Sequence, residues 1–494
     1  MRRSSPSRLN SSVSRRRDVT RRVGLLVITL VPAGEVHAQE APLVLQGTGP
    51  SRISPQHGYF DLVAGVAYTD NALLVPSGAT STGIGTVGVD ADYQRRGPNL
   101  DLQARGNVAW QEYLDNAFPG SVFGRFDGTA TWGHSMDLFQ WTVRETLDEG
   151  IANPLAAPTP NEIETINYFT TGPTLNFNFN ADERLSLYGS YSRTSFQKSP
   201  FDYRTYDWGS VFAHRLAAFS TLSLQINVAQ TKFDRPDLGS DYTDRSAQVF
   251  YTATVARTRV LASAGYTIEN YGGPSSGGRV LDVELSRRIS PSSSVYMRAH
   301  DGFTTIGGLI RSGFGTSVST ETNIGAVPRT ASPAPLEHRL ATLGWTFNGH
   351  RTSLSLVGSF ARQIYLQHTS FDSTVKTVTG TAQRRLRPTV LLRLQAYRTD
   401  TRYGSLDATV SNTVFNVSLL KQFRKVGMSV FAQRTQQSSA FSATAASLGL
   451  LTRSYDENRI GLNVSYDLLG QRSAGTALEL PNGPIGPTDV GPRR

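Results

Sequence analysis

Cysteine is absent from the 494 residues of this chain. Its absence excludes disulfide bonds, thiolate metal sites and cysteine nucleophiles. Long apolar runs are also missing, because the longest stretch, Val23 to Val31, is well short of the ~20 residues that a helical membrane span needs. Hydrophobic residues make up only 38% of the chain. A bundle of membrane-spanning helices is therefore excluded.

Little net positive charge remains once the N-terminal segment is set aside. The formal net charge is +10, but eight arginines with Asp18 and Glu35 contribute +6 of it within residues 1–38, which leaves +4 for residues 39–494. Nucleic-acid binding requires a basic face on the working domain. We therefore expect no nucleic-acid partner.

The N-terminal segment has the three parts of a secretory leader. Arg21 and Arg22 end a basic region, Val23 to Pro32 is apolar, and Val36-His37-Ala38 places small residues at the two positions that matter for cleavage. We predict a cleaved signal peptide over residues 1–38 and a periplasmic lead-in over 39–57. This lead-in has no room for a plug domain, periplasmic binding repeats or a passenger.

One pattern fills residues 58–468, in which apolar side chains alternate with polar or small ones. Leu222 to Ala229 and Ser353 to Phe360 are clear examples. Side chains on a strand point to opposite faces with a period of two, so each segment has one apolar and one polar face. A closed barrel with lipid outside and water inside explains this pattern along nearly the whole chain. The predicted fold class is an all-β, antiparallel, transmembrane outer-membrane β-barrel.

Short connections recur between these segments and alternate with longer Gly-, Ser- and Asp-rich loops. About nine short turns and ten longer loops predict about 18–20 strands, with the short turns in the periplasm and the longer loops outside. The longest loop runs from Thr304 to Leu336. The short turns are at Arg95–Pro98, His134–Asp137, Asn180–Glu183, Ala218–Thr221, Ala256–Arg259, Ser290–Ser293, Asn348–Arg351, Leu386–Thr389 and Phe423–Val426.

The last predicted strand contains Arg459 to Tyr466, where a glycine and alternating hydrophobic residues resemble a barrel-assembly signal. Residues 469–494 follow it as a Gly- and Pro-rich tail. We expect this tail to be a disordered segment in the periplasm.

Two motifs match catalytic or cofactor signatures only in their letters. The GxGxxG from Gly83 to Gly88 lies inside an alternating strand without a following helix, and the GxSxG from Gly273 to Gly277 lies in an expected external loop between Asn270 and Gly278. The histidines are dispersed, without HxxxH spacing. We therefore predict no catalytic, cofactor-binding or metal-binding residues, no cofactor, and a protein that is not an enzyme.

The polar face of the strands supplies the candidate functional residues. Arg and Tyr can hydrogen-bond sugar hydroxyls and carboxylates, and a Tyr ring can stack on a pyranose. The alternative is that these side chains pair with lumen acids or fill space. The candidate lumen-lining residues are Arg105, Tyr188, Tyr296, Arg298, Arg393 and Tyr397.

The first strand ends in Gly65-Val66-Ala67-Tyr68-Thr69-Asp70-Asn71. This segment resembles the opening of the beta-barrel porin 2 family, and the looser strand pattern extends the resemblance over most of residues 58–468. The resemblance implies an outer-membrane barrel of the kind associated with exopolysaccharide loci. It implies no catalytic or ligand-binding residue.

Three functional classes remain open. The resemblance favours a channel for exopolysaccharide or capsule export across the outer membrane, with a glycan substrate and a periplasmic polysaccharide-export protein as partner. A general diffusion porin for small solutes needs the same fold. An adhesin, a structural barrel or a barrel enzyme is the third class. In each case the expected location is the cell outer membrane, and the expected partners are membrane lipid, lipopolysaccharide and the barrel-assembly machinery.

Overall fold

The structure, a computed structural model, describes residues 57–133, 137–151, 157–237, 239–270, 275–304, 335–366, 372–441 and 454–468. All regular secondary structure in these ranges is β-strand. No helix in the described ranges is long and apolar enough to cross a membrane. The predicted signal peptide, most of the lead-in, the tail after Leu468 and residues 305–334 of the longest loop lie outside the described residues.

Twenty strands follow one another along the chain. They are β1 His57–Thr69, β2 Thr82–Arg96, β3 Leu100–Tyr113, β4 Ser121–Trp132, β5 Phe139–Ile151, β6 Ile163–Asn178, β7 Glu183–Phe196, β8 Tyr203–Ala217, β9 Ser220–Phe233, β10 Tyr242–Val255, β11 Thr258–Asn270, β12 Ser275–Ser290, β13 Ser293–Thr304, β14 Leu336–Asn348, β15 Thr352–Tyr365, β16 Ser373–Arg387, β17 Val390–Tyr403, β18 Ala408–Gln422, β19 Val426–Phe441 and β20 Tyr455–Asp467.

Each strand pairs antiparallel with its neighbours in sequence, and β1 pairs antiparallel with β20. The sheet therefore closes on itself and leaves no strand edge unpaired. The predicted fold class is confirmed, and the strand count of 20 lies at the upper end of the predicted range. A barrel of this size is too wide for its own side chains to fill.

The period-two pattern explains which face points outward. Leu224 and Leu356 have 44% and 53% of their surface exposed on the outer face. Ser223 and Gln225, on either side of Leu224, are buried on the inner face. The strands have 12 to 16 residues, more than the roughly 9–11 that a tilted strand needs to cross a bilayer. The outer face is thus an apolar band that fits the hydrocarbon core of a membrane.

All nine predicted short turns coincide with connections from an even-numbered strand to the next odd-numbered one. The odd-to-even connections at the opposite, external end are more variable than expected. Residues 271–274 and 404–407 are as short as the periplasmic turns, whereas the β13–β14 connection covers 305–335.

The sequence prediction of a loop up to Gly278 was wrong, because β12 already begins at Ser275 and pairs there with Asn270. The glycines would normally weaken a strand. Here the Tyr266 ring lies over Gly277 and the Phe303 ring lies over Gly278. These rings supply the packing that the glycines lack.

Aromatic residues near the external strand ends form a second unexpected feature. Outer-membrane barrels usually have girdles of aromatic residues on their outer face at the membrane interfaces, but several rings of this chain point into the barrel mouth and are buried there. Tyr365 and Tyr203, for example, are only 2% and 3% exposed. The main mouth cluster consists of Ile166, Tyr168, Phe196, Tyr203, Phe233, Tyr242, Leu336 and Tyr365.

Two external connections are tied together beside this cluster. Lys198 donates from Nζ to the carbonyl oxygens of Asn161 and Ile163 at 2.8 and 2.6 Å, and the Ser199 hydroxyl donates to Glu164 at 2.7 Å. Burial lowers the pKa of Lys198, against the opposing effect of the carboxylates of Glu162 and Glu164. These bonds fix the β5–β6 and β7–β8 connections at the mouth.

The seam between β1 and β20 is held by side chains at the external end. Asp70 accepts two hydrogen bonds from Asn458, one from the backbone NH and one from Nδ2, both at 2.7 Å. Thr69 donates to Glu457 at 2.7 Å, and Asn71 donates to the carbonyl of Asp456 at 2.9 Å. The Thr-Asp-Asn segment that carries the family resemblance thus joins the two ends of the barrel.

We expect Asp70→Ala to destabilise the closed barrel by about 1–2 kcal/mol, because two hydrogen bonds across the seam are lost. Heat-modifiable gel mobility would show this as unfolding at a lower temperature. Asp237→Ala is the matched control, since Asp237 is 60% exposed and pairs with Arg235 within one loop. An equal effect of both substitutions would contradict a specific role for the seam.

Candidate functional site

The inner surface of the barrel has two walls of different charge. Within the described part of the chain, strands β13 to β19 contain only three acidic residues, Asp301, Glu337 and Asp400. The side chains of all three point outward. We call the inner face of these seven strands the acid-free wall. The inner faces of β20 and β1 to β5 form the charged wall, with eight acids: Asp61, Asp90, Asp92, Asp101, Asp127, Asp148, Glu457 and Asp467.

Ion pairs cross neighbouring strands of the charged wall. Arg144 lies 2.9 Å from Asp127, and Arg125 lies 3.1 Å from Asp148. Arg105 lies 3.8 Å from Asp92. Each of these arginines has a carboxylate beside it, but the wall as a whole has eight acids against five inner-face arginines, a net charge of −3.

Arg298 stands where the acid-free wall meets its neighbour β12. Its guanidinium lies 3.3 Å from Asp282 of β12, which also contacts His300 at 3.3 Å. The His300 ring in turn lies 5.8 Å from that of His338 on β14. The Asp282 carboxylate thus orients Arg298 and His300 and offsets part of the positive charge.

Arg393 lies within the acid-free wall itself. Its cross-strand neighbours are Gln383 on β16 and Ser418 on β18. Gln395, two residues further along β17, lies opposite Thr381 and Asn416. The inner faces of both neighbouring strands carry hydroxyl, amide and apolar side chains but no carboxylate. The guanidinium therefore projects from a stretch of wall where the residues directly across on both adjacent strands are neutral.

The predicted tyrosines pack against the inner surface of the barrel, Tyr188 on β7 and Tyr296 and Tyr397 on the acid-free wall. Tyr188 spans β8 to reach β9, where its hydroxyl is 2.9 Å from Asn227 and 3.0 Å from Gln225. Gly209 leaves the necessary space, since a Cβ there would lie 2.6 Å from the Tyr188 hydroxyl. The Tyr296 ring occupies the corresponding space over Gly344. Tyr188 and Tyr397 are buried, at 9% and 8% exposure, so their rings offer little free surface to a passing solute.

The six predicted residues therefore do not form one cluster. Strand alternation puts all of them on the inner face, but Arg105 on β3 and Tyr188 on β7 stand apart from the other four. Tyr296 and Arg298 share β13, and Arg393 and Tyr397 share β17. These two pairs belong to the acid-free wall. Contact of any of them with a solute stays a prediction.

Sequence reasoning missed the difference between the two walls, although the sequence contains the signal. Counting acidic residues separately at the two alternating positions of each strand shows that β13 to β19 have none on the inner face. The carboxylates that accompany Arg105 and Arg298 were also missed, because their pairing depends on the register between strands.

Within the described ranges, no group of three or more His, Asp or Glu side chains could hold a metal ion. Glycine positions Gly83 to Gly88 lie in β2, paired with β1 and β3. The GxGxxG segment from Gly83 to Gly88 therefore lacks the strand-to-helix turn that dinucleotide binding requires.

Comparisons with known proteins give low similarities. No family model matches the chain, and no curated protein matches it either. The resemblance to the beta-barrel porin 2 family therefore stays a prediction.

Solved structures of bacterial proteins do match the fold. The siderophore receptor PirA from Acinetobacter baumannii aligns with a TM-score of 0.46 and 9% identity, over 84% of this chain and 81% of PirA. The FrpB iron transporter from Neisseria meningitidis gives 0.44 and 10%, over 83% and 81%. OccK2 from Pseudomonas aeruginosa, solved in complex with glucuronate, gives 0.37 and 11%, over 83% and 98%. These values assign neither a family nor a substrate.

The class of protein follows from the barrel itself. A closed antiparallel barrel with an even number of strands, an apolar outer band and a polar interior is an outer-membrane β-barrel. The protein therefore resides in the cell outer membrane.

Proposed function

We propose that the barrel is an aqueous channel for hydroxyl-rich, anionic solutes, and that its substrate is a polysaccharide exported through the outer membrane. The observation that carries this proposal is the acid-free wall. Arg298, Arg385 and Arg393 are its arginines, and no carboxylate stands on the inner face of its seven strands. An anion that follows this wall passes three arginines and no carboxylate of these seven strands.

The neutral side chains of the wall suit a sugar chain. Inner-face hydroxyl and amide groups, such as those of Thr381, Gln395 and Asn416, follow one another across adjacent strands. Both groups donate and accept hydrogen bonds, as sugar hydroxyls do. Each such contact is weak, and a conducting site has to release what it binds. A row of weak contacts therefore favours passage over tight binding.

A general porin for small solutes is the second candidate. The charged wall favours it, because its eight acids and five arginines give it a net negative charge opposite the acid-free wall, so that the lumen offers a path to small solutes of either sign. The two functions differ in a liposome assay. A porin gives solute flux in liposomes without any partner, whereas an export channel conducts poorly alone. In cells, deletion of an export channel abolishes surface polysaccharide.

The field of the acid-free wall can be tested with Arg393→Glu. We expect the ratio of anion to cation permeability to fall by about twofold to threefold in planar bilayers, because a positive charge on the acid-free wall changes sign. Assembly should be unchanged, since the side chain faces water.

Arg398→Glu is the matched control for this experiment. Arg398 is on the same strand but faces outward, with 62% of its side chain exposed. The substitution makes the same change in net charge without altering the lumen. Equal shifts in both variants, or none with Arg393→Glu, would overturn the role given to the acid-free wall.

A further inference from the structure

Directly opposed arginines occur on the outer face at two places near the external end. Arg193 of β7 faces Arg204 of β8, and Arg339 of β14 faces Arg362 of β15. Like charges that face each other across a strand pair destabilise it. Each pair therefore needs a counter-charge.

The first pair has one within the protein. The Asp234 carboxylate lies 3.3 Å from Arg193 and 2.5 Å from Arg204, and so bridges the two guanidinium groups. Asp202 adds a second carboxylate, 3.8 Å from Arg193. This arrangement shows how the barrel neutralises an opposed pair when it does so with its own side chains.

In the second pair, only Arg339 has a counter-charge. Arg339 contacts Glu337 and lies 3.3 Å from Asp301. Neither carboxylate forms an ion pair with Arg362, and no other acid among the described residues does so.

More outward cations adjoin Arg362. Lys376 lies diagonally across on β16, opposite Phe360, and Arg398 and Arg402 follow on β17. Toward their external ends, the outer faces of β14 to β17 thus carry five cations against Glu337 and Asp400, a net charge of +3, while a sixth outward cation, Arg384, lies at the periplasmic end of β16.

The height of these cations identifies the kind of partner. Arg362 lies two residues beyond the exposed Phe360, and Lys376 two residues beyond the exposed Val378, each toward the external loops. Two strand residues correspond to about 7 Å. The cations therefore stand at the outer border of the apolar band, where lipid head groups begin, and long basic side chains at such a border extend to the polar layer.

We propose that Arg362 and Lys376, supported by Arg339, Arg398 and Arg402, bind the phosphate groups of the phosphorylated lipid of the outer leaflet, the lipid A part of lipopolysaccharide. Guanidinium groups bind phosphate through paired, charge-assisted hydrogen bonds. The adjacent Phe360 and Val378 would contact the acyl chains of the same molecule. A phosphate between Arg339 and Arg362 would provide the counter-charge that Asp234 provides at the other pair.

The test is the affinity of the detergent-purified barrel for fluorescently labelled lipopolysaccharide. The double variant R362A/K376A should bind at least about tenfold more weakly, since two charge-assisted contacts are lost. The charge-conserving variant R362K/K376R should bind more tightly than R362A/K376A, because it keeps both charges and changes only the geometry of the hydrogen bonds. Heat-modifiable mobility of both variants establishes that the barrel is folded.

The matched control is R193A/R204A, which also removes two outward cations but from a site that has its own carboxylate. We expect R193A/R204A to lose little affinity. We also expect dephosphorylated lipopolysaccharide to bind the wild-type barrel weakly, with an affinity like that of the R362A/K376A variant for intact lipopolysaccharide. Equal losses of affinity in R362A/K376A and R193A/R204A would overturn the proposal. It would also be overturned if the wild-type barrel bound dephosphorylated and intact lipopolysaccharide equally well. Millimolar inorganic phosphate should compete with the lipid. Saturable binding of phosphate that leaves lipid binding unchanged would also overturn it.

Discussion

A charged side chain at Leu224 or Leu356 is expected to block assembly of the barrel in the outer membrane. Both residues point outward within the apolar band. An arginine there must either enter the hydrocarbon core or distort the bilayer, at a cost of about 2–4 kcal/mol near the midplane. The double variant L224R/L356R therefore loses an amount comparable to the whole stability of many proteins. Outer-membrane fractionation and heat-modifiable mobility would measure the loss.

The control places the same charge on the opposite face of the same strands. Ala229→Arg and Ser355→Arg introduce a guanidinium on the inner face, at positions that are only half-buried. Since that face is hydrated, we expect both control variants to assemble. The reverse result, with the inner substitutions harmful and the outer ones tolerated, would invert the assignment of the two faces. The acid-free wall would then face lipid, and the proposed channel would fail with it.

The second large effect is expected at Gly172. The β6–β7 ladder is interrupted between the pairs Thr171–Tyr191 and Thr174–Tyr188, and Gly172 lies in this gap close to the backbone of β7. A Cβ at this position would overlap the carbonyl oxygen of Gly189. Because backbone cannot rotate away as a side chain can, Gly172→Ala has to push the two strands apart. We expect a cost of about 1–3 kcal/mol, measured by urea unfolding in lipid vesicles.

Gly358→Ala separates this effect from the loss of a glycine as such. Gly358 is also inside a strand, but a Cβ there would have no atom within 4 Å. We expect it to be neutral or slightly stabilising, because alanine has less freedom in the unfolded chain. Similar behaviour of the two alanine variants would show that the close approach of β6 and β7 has no energetic consequence.

Much of this fold follows from the sequence alone, because a strand has an exact period of two. The alternating side chains from Leu222 to Ala229 allow only two assignments of the faces. In a barrel surrounded by lipid, the apolar face is the outer one. The short turns were equally accessible, since Arg95 to Pro98 and Phe423 to Val426 interrupt the alternation with turn-forming residues. The order of neighbours then follows from consecutive hairpins.

The site was less predictable, because it depends on distances between strands. Alternation put Arg105 and Arg393 on the same face, but it did not show that Asp92 lies beside the first or that Gln383 and Ser418 lie across from the second. The reach of Tyr188 across β8 depends on the empty space at Gly209. The inward turn of Tyr203 and Tyr365 depends on packing partners far apart in sequence. None of these contacts has a local signal.

The pairing of β1 with β20 has a consequence for the order of folding. Every other strand pair joins consecutive hairpins, whereas the Thr69–Glu457 bond connects residues 388 positions apart. Bringing together the ends of a flexible loop of that length costs about 5 kcal/mol of entropy. This cost is concentrated in a single late step, which requires β20 to have been synthesised. A chain that stops before Tyr455 would keep two open sheet edges, and such edges recruit other chains. Truncation products of this protein should therefore aggregate rather than persist as smaller barrels.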